Sequence, residues 1–177
     1  MVNQNDTLVL LIDVQEKMMP AINNKDEIIN NCCILAQGAK LLELPVLVTR
    51  QYPKGLGDTV PELLNALGEH DNTDKMGFSC LYDDNGFVDK LTKKNIIVAG
   101  VETHICVQQT VLDLIDKGFN VYVAADCCGS RSELNRTVSL MRMEKAGAVI
   151  TTSESLLFEI MRTASHPARK AIQELVK

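Results

Sequence analysis

Two kinds of apolar pattern alternate along the chain. Short uninterrupted runs occupy Thr7–Ile12 (TLVLLI), Val46–Thr49, Asn95–Ala99, Phe119–Ala125 and Ala148–Thr151, and runs of this length suit strands covered on both faces. Between them the apolar residues recur with helical spacing. In 25–42, Ile28, Ile29, Cys32, Leu35, Ala36, Ala39 and Leu42 follow one another at three- and four-residue steps, and Leu44-Pro45 closes the segment. In 103–117, Val107, Val111 and Leu114 do the same, with Thr103 as a predicted N-cap and Gly118 as a C-cap signal. Further helices are predicted over 60–67, 132–145 and, capped by Ser153, 153–161, with short pieces at 87–91 and after His166-Pro167. Strands alternating with helices predict an α/β fold: a three-layer, doubly wound parallel sheet with helices on both faces. No linker-like composition divides residues 1–177, which predicts a single domain.

Two of these elements end in residues with useful chemistry. Asp13 follows the first strand, and carboxyl ends of parallel strands are where open α/β sheets bind ligands. The same residue also fits a helix cap or a turn. Cys106 falls in the first turn of the 103–117 helix, where free N–H groups and the helix dipole favour a thiolate. It also fits a small core residue. If the strand order reverses between the first strand and 95–99, both residues flank one crevice. Gly55-x-Gly57 lacks the third glycine of a dinucleotide loop, so no nucleotide cofactor is called for. His104 lies two residues from Cys106, a spacing that does not face the thiol, and is read as structural or as a subunit contact.

Composition narrows the function classes. The net charge is −5, no basic run occurs, and aromatic residues make up 4%, which argues against nucleic-acid binding. No apolar stretch reaches the roughly 20 residues of a membrane span, and MVNQNDTLVLLID lacks a basic leader; a cytoplasmic protein is expected. Six cysteines at 32, 33, 80, 106, 127 and 128 form no CxxC, so reduced thiols are expected, those besides Cys106 as core or turn residues.

The segments LLIDVQ around Asp13, DKMGFS around Lys75 and AGVETHICV around Cys106 resemble the three signature regions of the isochorismatase-like cysteine hydrolases. The tail SRSELNRTVSLMRMEKAGAVITTSESLLFEIM is similar to that family too. The resemblance implies a six-stranded sheet and an Asp13–Lys75–Cys106 triad. Pattern alone reads Lys75 as a solvated lysine. In the implied triad Cys106 is the nucleophile, Asp13 accepts its proton, and Lys75 stabilises the charge. It also implies a cis peptide at Val101–Glu102, with the backbone N–H groups of Glu102 and Cys106 as an oxyanion hole. Gln15, Arg50, Gln51, Tyr52 and Phe78 are expected to line the substrate pocket; Arg50 also fits a surface ion pair and Phe78 the core.

Two departures shape the expected activity. Nicotinamidases of the family bind a metal through histidines after the second strand, whereas here no histidine lies between Leu44 and Glu69 and His70 stands alone; no metal is expected. True isochorismatases carry a small residue at the position of Cys106. A cysteine points instead to hydrolysis of a small amide or related C–N bond through a thioester. The alternatives are a peroxide-responsive thiol protein and a non-catalytic binding protein on the same fold. The resemblance further implies a homo-oligomer acting on a small molecule. The 153–161 helix, apolar nearly all round, is expected to be buried on two sides.

Overall fold

The structure is a computed structural model that describes residues 2–177. Strands β1 (Thr7–Ile12), β2 (Val46–Gln51), β3 (Asn72–Lys75), β4 (Asn95–Val101), β5 (Asn120–Gly129) and β6 (Val149–Thr151) form one sheet in the order β3-β2-β1-β4-β5-β6. Every neighbouring pair is parallel. The order reverses between β1 and β4, so the topological switch point lies at the carboxyl ends of these two strands.

Burial alternates along β1 as the pleat requires. Val9 and Leu11 face one layer with residues of α1 (Lys25–Leu41), α3 (Pro61–Leu67), α6 (Ser153–Met161) and α7 (Arg169–Leu175). Leu8, Leu10 and Ile12 face the other, with Val111 and Leu114 of α4 (Gln108–Asp116) and Met143 of α5 (Glu133–Ala146). A short helix α2 (Pro53–Leu56) fills the connection after β2. All six residues of β1 and all seven of β4 are buried, which is why these strands read as continuous apolar runs rather than as alternation.

Several boundaries differ from the sequence pattern, each for a local reason. β3 carries the sequence NTDK; an edge strand of four polar residues leaves no hydrophobic period. β4 continues through Gly100, which has φ +132° and pairs with Ile12. A Cβ there would lie 2.1 Å from the Ile12 carbonyl oxygen, so only glycine lets the two central strands touch at this level. β5 runs to Gly129 across an irregularity opposite Val98 and Gly100, where Arg136 donates to the carbonyls of Cys128 (2.8 Å) and Ala125 (2.5 Å).

The helix caps shift as well. The segment 103–107 is a π-helical turn preceding α4, and the Thr103 hydroxyl donates to Gly129 O rather than capping. Thr152, not Ser153, caps α6, because Ser153 turns its hydroxyl to Asp126 at 2.6 Å. In α6, Leu156, Leu157, Ile160 and Met161 are buried within the chain, on the side that meets α1 and β5, while Phe158 is 40% exposed.

Candidate active site

The close approach of Ile12 and Gly100 sets the next residue of each strand at the switch point. Asp13 leaves β1 in the left-handed conformation, φ +55°, which aspartate tolerates better than most residues. Its N–H donates to Thr49 O on β2 (3.1 Å), and Gln15 N donates to Asp13 O (2.8 Å). The carboxylate is thereby held inside the sheet edge, fully buried. Oδ1 accepts from the Thr49 hydroxyl (2.8 Å), and Oδ2 accepts from Lys75 Nζ (2.6 Å).

Lys75 is the last residue of β3, two strands away, and reaches across β2 to Asp13. Its side chain is 1% exposed. The ammonium also donates to Gln51 Oε1 (2.8 Å), Phe78 O (3.0 Å) and Gly77 O (3.2 Å), so three N–H bonds are shared among four acceptors. Burial pulls the Lys75 pKa down, but the charge of Asp13, the two thiols Cys106 and Cys80 and the bond to Asp13 outweigh it, and the pKa lies above the ordinary lysine value. A buried cation with this set of partners is paired rather than solvated.

Cys106 sits in the π-helical turn after β4 and is 3% exposed. Burial raises its pKa first, and the Asp13 carboxylate raises it further; Lys75 acts in the opposite direction and does not offset them. A hydrogen bond to Asp13 also favours the protonated form. The thiolate that the helix start favours is thus opposed here by burial and by Asp13. The resting group is a thiol next to a carboxylate able to take its proton. The Val101–Glu102 peptide that leads into this turn is cis.

The turn is braced from the connection between β5 and α5 and from α5 itself. The Glu102 carboxylate accepts from Arg131 N (3.1 Å) and Arg131 Nε (3.0 Å). Ser139 Oγ donates to Thr103 O (2.9 Å), and His104 Nδ1 shares a 3.0 Å hydrogen bond with Ser130 Oγ. His104 is therefore occupied in the brace.

The five residues expected to line a pocket divide. Gln15 is fully buried and spent on backbone: Nε2 donates to Gln51 O (3.0 Å) and Gly57 O (2.8 Å), and Oε1 accepts from Gln51 N (2.7 Å). Arg50 points to the opposite face of β2 and pairs with Asp74 (2.8 Å) and Asp58 (2.9 Å). Gln51 orients Lys75, its own Nε2 donating to Met76 O (2.8 Å). Tyr52 and Phe78 are 47% and 54% exposed. Tyr52 lines an open depression of about 420 Å³ with Pro53, Asp74, Lys75 and Met76. Pattern reading missed Thr49 and Cys80. Thr49 sits beside Ile12 in the β1–β2 register. The buried Cys80 thiol donates to the Thr49 hydroxyl at 3.8 Å and has its pKa pushed up to about 12 by burial. The signal for Thr49 was its place at the end of the strand next to Asp13; Cys80 carried none.

Ionisable side chains here gather at the switch point of a doubly wound parallel sheet, the place where open α/β folds bind their ligands. More narrowly, the chain belongs to the isochorismatase family, whose Isochorismatase domain matches residues 7–155. It carries the hydrolase fold of that family. Isochorismatase domain-containing protein 2 of Rattus norvegicus is 39% identical over 172 residues, covering 97% of this chain and 81% of that protein. The structure of MAR1 ribonuclease from Caenorhabditis elegans superposes with a TM-score of 0.93 at 38% identity, over 99% of this chain and 91% of that one. The YcaC gene product of Escherichia coli, described as an octameric hydrolase of unknown specificity, superposes with a TM-score of 0.85 at 30% identity, over 98% and 86%. Among the described residues no helix is long and apolar enough to cross a membrane.

Proposed function

We propose that this chain hydrolyses a small amide, or a related C–N bond, through a thioester on Cys106. The observation that carries this reading is the buried 2.6 Å pair of Asp13 and Lys75, with both groups acting on the Cys106 thiol. Asp13 takes the thiol proton as Sγ attacks the carbonyl carbon, and the C=O electron pair moves to oxygen. The N–H groups of Glu102 and Cys106, at the start of the helical segment, face that oxyanion. The C–N bond then breaks, and the amine leaves with the proton from Asp13. Water next attacks the thioester, giving its proton to Asp13. Collapse releases the carboxylic acid and returns the proton to sulfur. Lys75 pairs with the Asp13 carboxylate at 2.6 Å and lowers the cost of negative charge at sulfur during the transfer.

A thiol whose proton is held by burial suits activation on demand better than peroxide sensing, which draws on an exposed thiolate. The reading extends to one domain over residues 1–177, a cytoplasmic location and a homo-oligomer, the last supported by the octameric E. coli relative. No cofactor, nucleic acid or membrane enters the mechanism.

A second reading follows from the C. elegans relative, which is named a ribonuclease. It would need phosphate-binding cations, whereas the nearby open depression sets Asp74 and Asp83 beside Lys54 and Lys75, and Lys75 is already paired with Asp13. One panel separates the two: small primary amides, carbamoyl compounds and a labelled RNA oligonucleotide, each with wild type and Cys106→Ala. The amide reading expects ammonia or amine release that is lost in Cys106→Ala, with the RNA intact. RNA cleavage with no amide turned over would replace it.

A further inference from the structure

Two consecutive buried residues of the loop after β3 take no part in the chemistry proposed above. Ser79 is 3% exposed and Cys80 1%. Both reach across to α4, the helix that follows Cys106. Cys80 N donates to Thr110 Oγ1 at 3.0 Å, and Ser79 Oγ donates to Asp113 Oδ2 at 2.5 Å. Thr110 and Asp113 are three residues apart and so share one helix face. Thr110 stands one turn beyond Cys106 and is fully buried. A buried backbone N–H that depends on a single hydroxyl from another element is costly to leave unpaired.

The two residues just before this pair hold Lys75. Its Nζ donates to Gly77 O at 3.2 Å and to Phe78 O at 3.0 Å. The segment 77–80 therefore carries two successive carbonyls that face the ammonium, then two successive donors that face the cysteine helix. Asp83 ties the start of the loop to its end, Oδ2 accepting from Met76 N (2.6 Å) and Gly77 N (2.9 Å). Cys80 also reaches the sheet. Its thiol donates to the Thr49 hydroxyl at 3.8 Å, and Thr49 donates to Asp13 Oδ1 at 2.8 Å. One residue thus links the lysine loop, the cysteine helix and, through Thr49, the carboxylate.

The sheet alone does not fix Lys75 against Cys106. β3 is a four-residue edge strand paired only with β2, and β2 and β1 separate it from β4, which leads to Cys106. The lysine stem is long and flexible, so the place of its ammonium is set by its acceptors. Two of those four acceptors belong to the loop that Ser79 and Cys80 fasten.

We infer that Ser79, Cys80, Thr110 and Asp113 form a clasp that fastens the Lys75 loop to the Cys106 helix and so holds the ammonium in place beside the thiol. They are positioning residues, acting through Lys75 and not on the substrate. The inference rests on the proposed reading of Asp13, Lys75 and Cys106, and it says what keeps the cation and the thiol together.

The test follows alkylation of Cys106 by iodoacetamide at pH 8, with peptide-mass spectra reporting each cysteine and circular dichroism reporting the fold. Lys75 favours negative charge at Cys106, so an ammonium that drifts away slows labelling, tenfold for each unit by which the thiol pKa rises. Thr110→Val removes the acceptor of Cys80 N and is expected to slow Cys106 labelling about tenfold. Thr110→Ser keeps the hydroxyl and should stay within about twofold of wild type. Ser79→Ala cuts the more exposed half of the clasp and should slow labelling about threefold. Where Thr110→Val does not fold, Ser79→Ala decides. In a Lys75→Met background neither clasp variant should slow labelling further, because the residue they act through is gone. A natively folded Thr110→Val or Ser79→Ala labelled as fast as wild type overturns the clasp, even if its Tm falls. Equal slowing by Thr110→Ser and Thr110→Val, or further slowing in Lys75→Met, overturns it too. The failures are distinguishable: if wild-type Cys106 is not labelled ahead of the other cysteines the amidase reading falls, whereas preferred labelling that the clasp variants leave unchanged removes only the clasp.

Discussion

Replacing Asp13 by asparagine leaves the shape of the site almost unchanged and removes one buried charge. Asp13 is fully buried, and the Lys75 side chain it meets at 2.6 Å is 1% exposed. In Asp13→Asn the ammonium keeps Gln51, Gly77 and Phe78 as neutral acceptors but has no counter-charge. Breaking a buried pair from one side costs about 3–5 kcal/mol. For a chain of this size that is a fall of roughly 6–20 °C in Tm. The pH dependence is the sharper signature. Wild-type Lys75 has a raised pKa, so its contribution is fully present below the unfolded lysine value of about 10.4 and is lost as pH rises through the folded value. In the variant, burial without Asp13 depresses the folded pKa below the unfolded one. Between those two values the unfolded state binds more protons, and stability must rise with pH. Urea unfolding at pH 7, 8 and 9, below the range where the buried thiols contribute, reads this directly. Wild type should be level to about pH 9, while Asp13→Asn should start about 3–5 kcal/mol lower and gain stability across the series. A variant within 1 kcal/mol of wild type at pH 7, with no rise, would refute the buried pair.

Thr49→Val keeps the side-chain shape but removes the donor to Asp13 Oδ1 and the acceptor for Cys80; a loss of about 1.5–3 kcal/mol in urea unfolding is expected. Gly100→Ala drives a methyl group into the Ile12 carbonyl and should cost more than about 4 kcal/mol or abolish soluble expression. Gly38→Ala, whose Cβ meets both methyls and Cγ of Leu157, should cost about 1–3 kcal/mol by the same assay. Alkaline stability follows from the buried thiols. Burial raises Cys80 and Cys128 from 9.0 to about 12, so the folded state holds protons the unfolded state releases. Stability is present below pH 9 and falls by about 4 kcal/mol per thiol between pH 9 and 12; Cys80→Ala should make that decline shallower.

Much of the central sheet was legible because its strands are buried on both faces and its helices have strong period. The pattern placed β1, β2, β4, β5 and β6 to within a few residues. It failed at β3, whose NTDK sequence has no apolar period, and at the end of β5, where Arg136 satisfies carbonyls in an irregular stretch. The site shows the same division. Asp13 and Cys106 stand at strand and helix ends, where position alone suggests a ligand. Lys75 looked solvated because the edge strand that buries it was invisible, and family resemblance singled it out. Gln15 and Arg50 were expected in a pocket for lying near those ends. Gln15 is instead consumed by the Gln51 and Gly57 backbone, and Arg50 by Asp58 and Asp74, contacts set by strand register rather than by sequence neighbourhood. The raised thiol at Cys106 was not legible either, since helix position argued for a thiolate and burial, which the sequence does not print, decides the sign.

The most direct measurement is intact-mass spectrometry of the protein quenched in acid while it turns over a small primary amide. The expected result is a mass increase equal to the acyl group, mapped to Cys106, absent in Cys106→Ala and discharged on further incubation in buffer. Turnover with no acyl adduct on Cys106, or an adduct that persists in Cys106→Ala, would contradict the thioester.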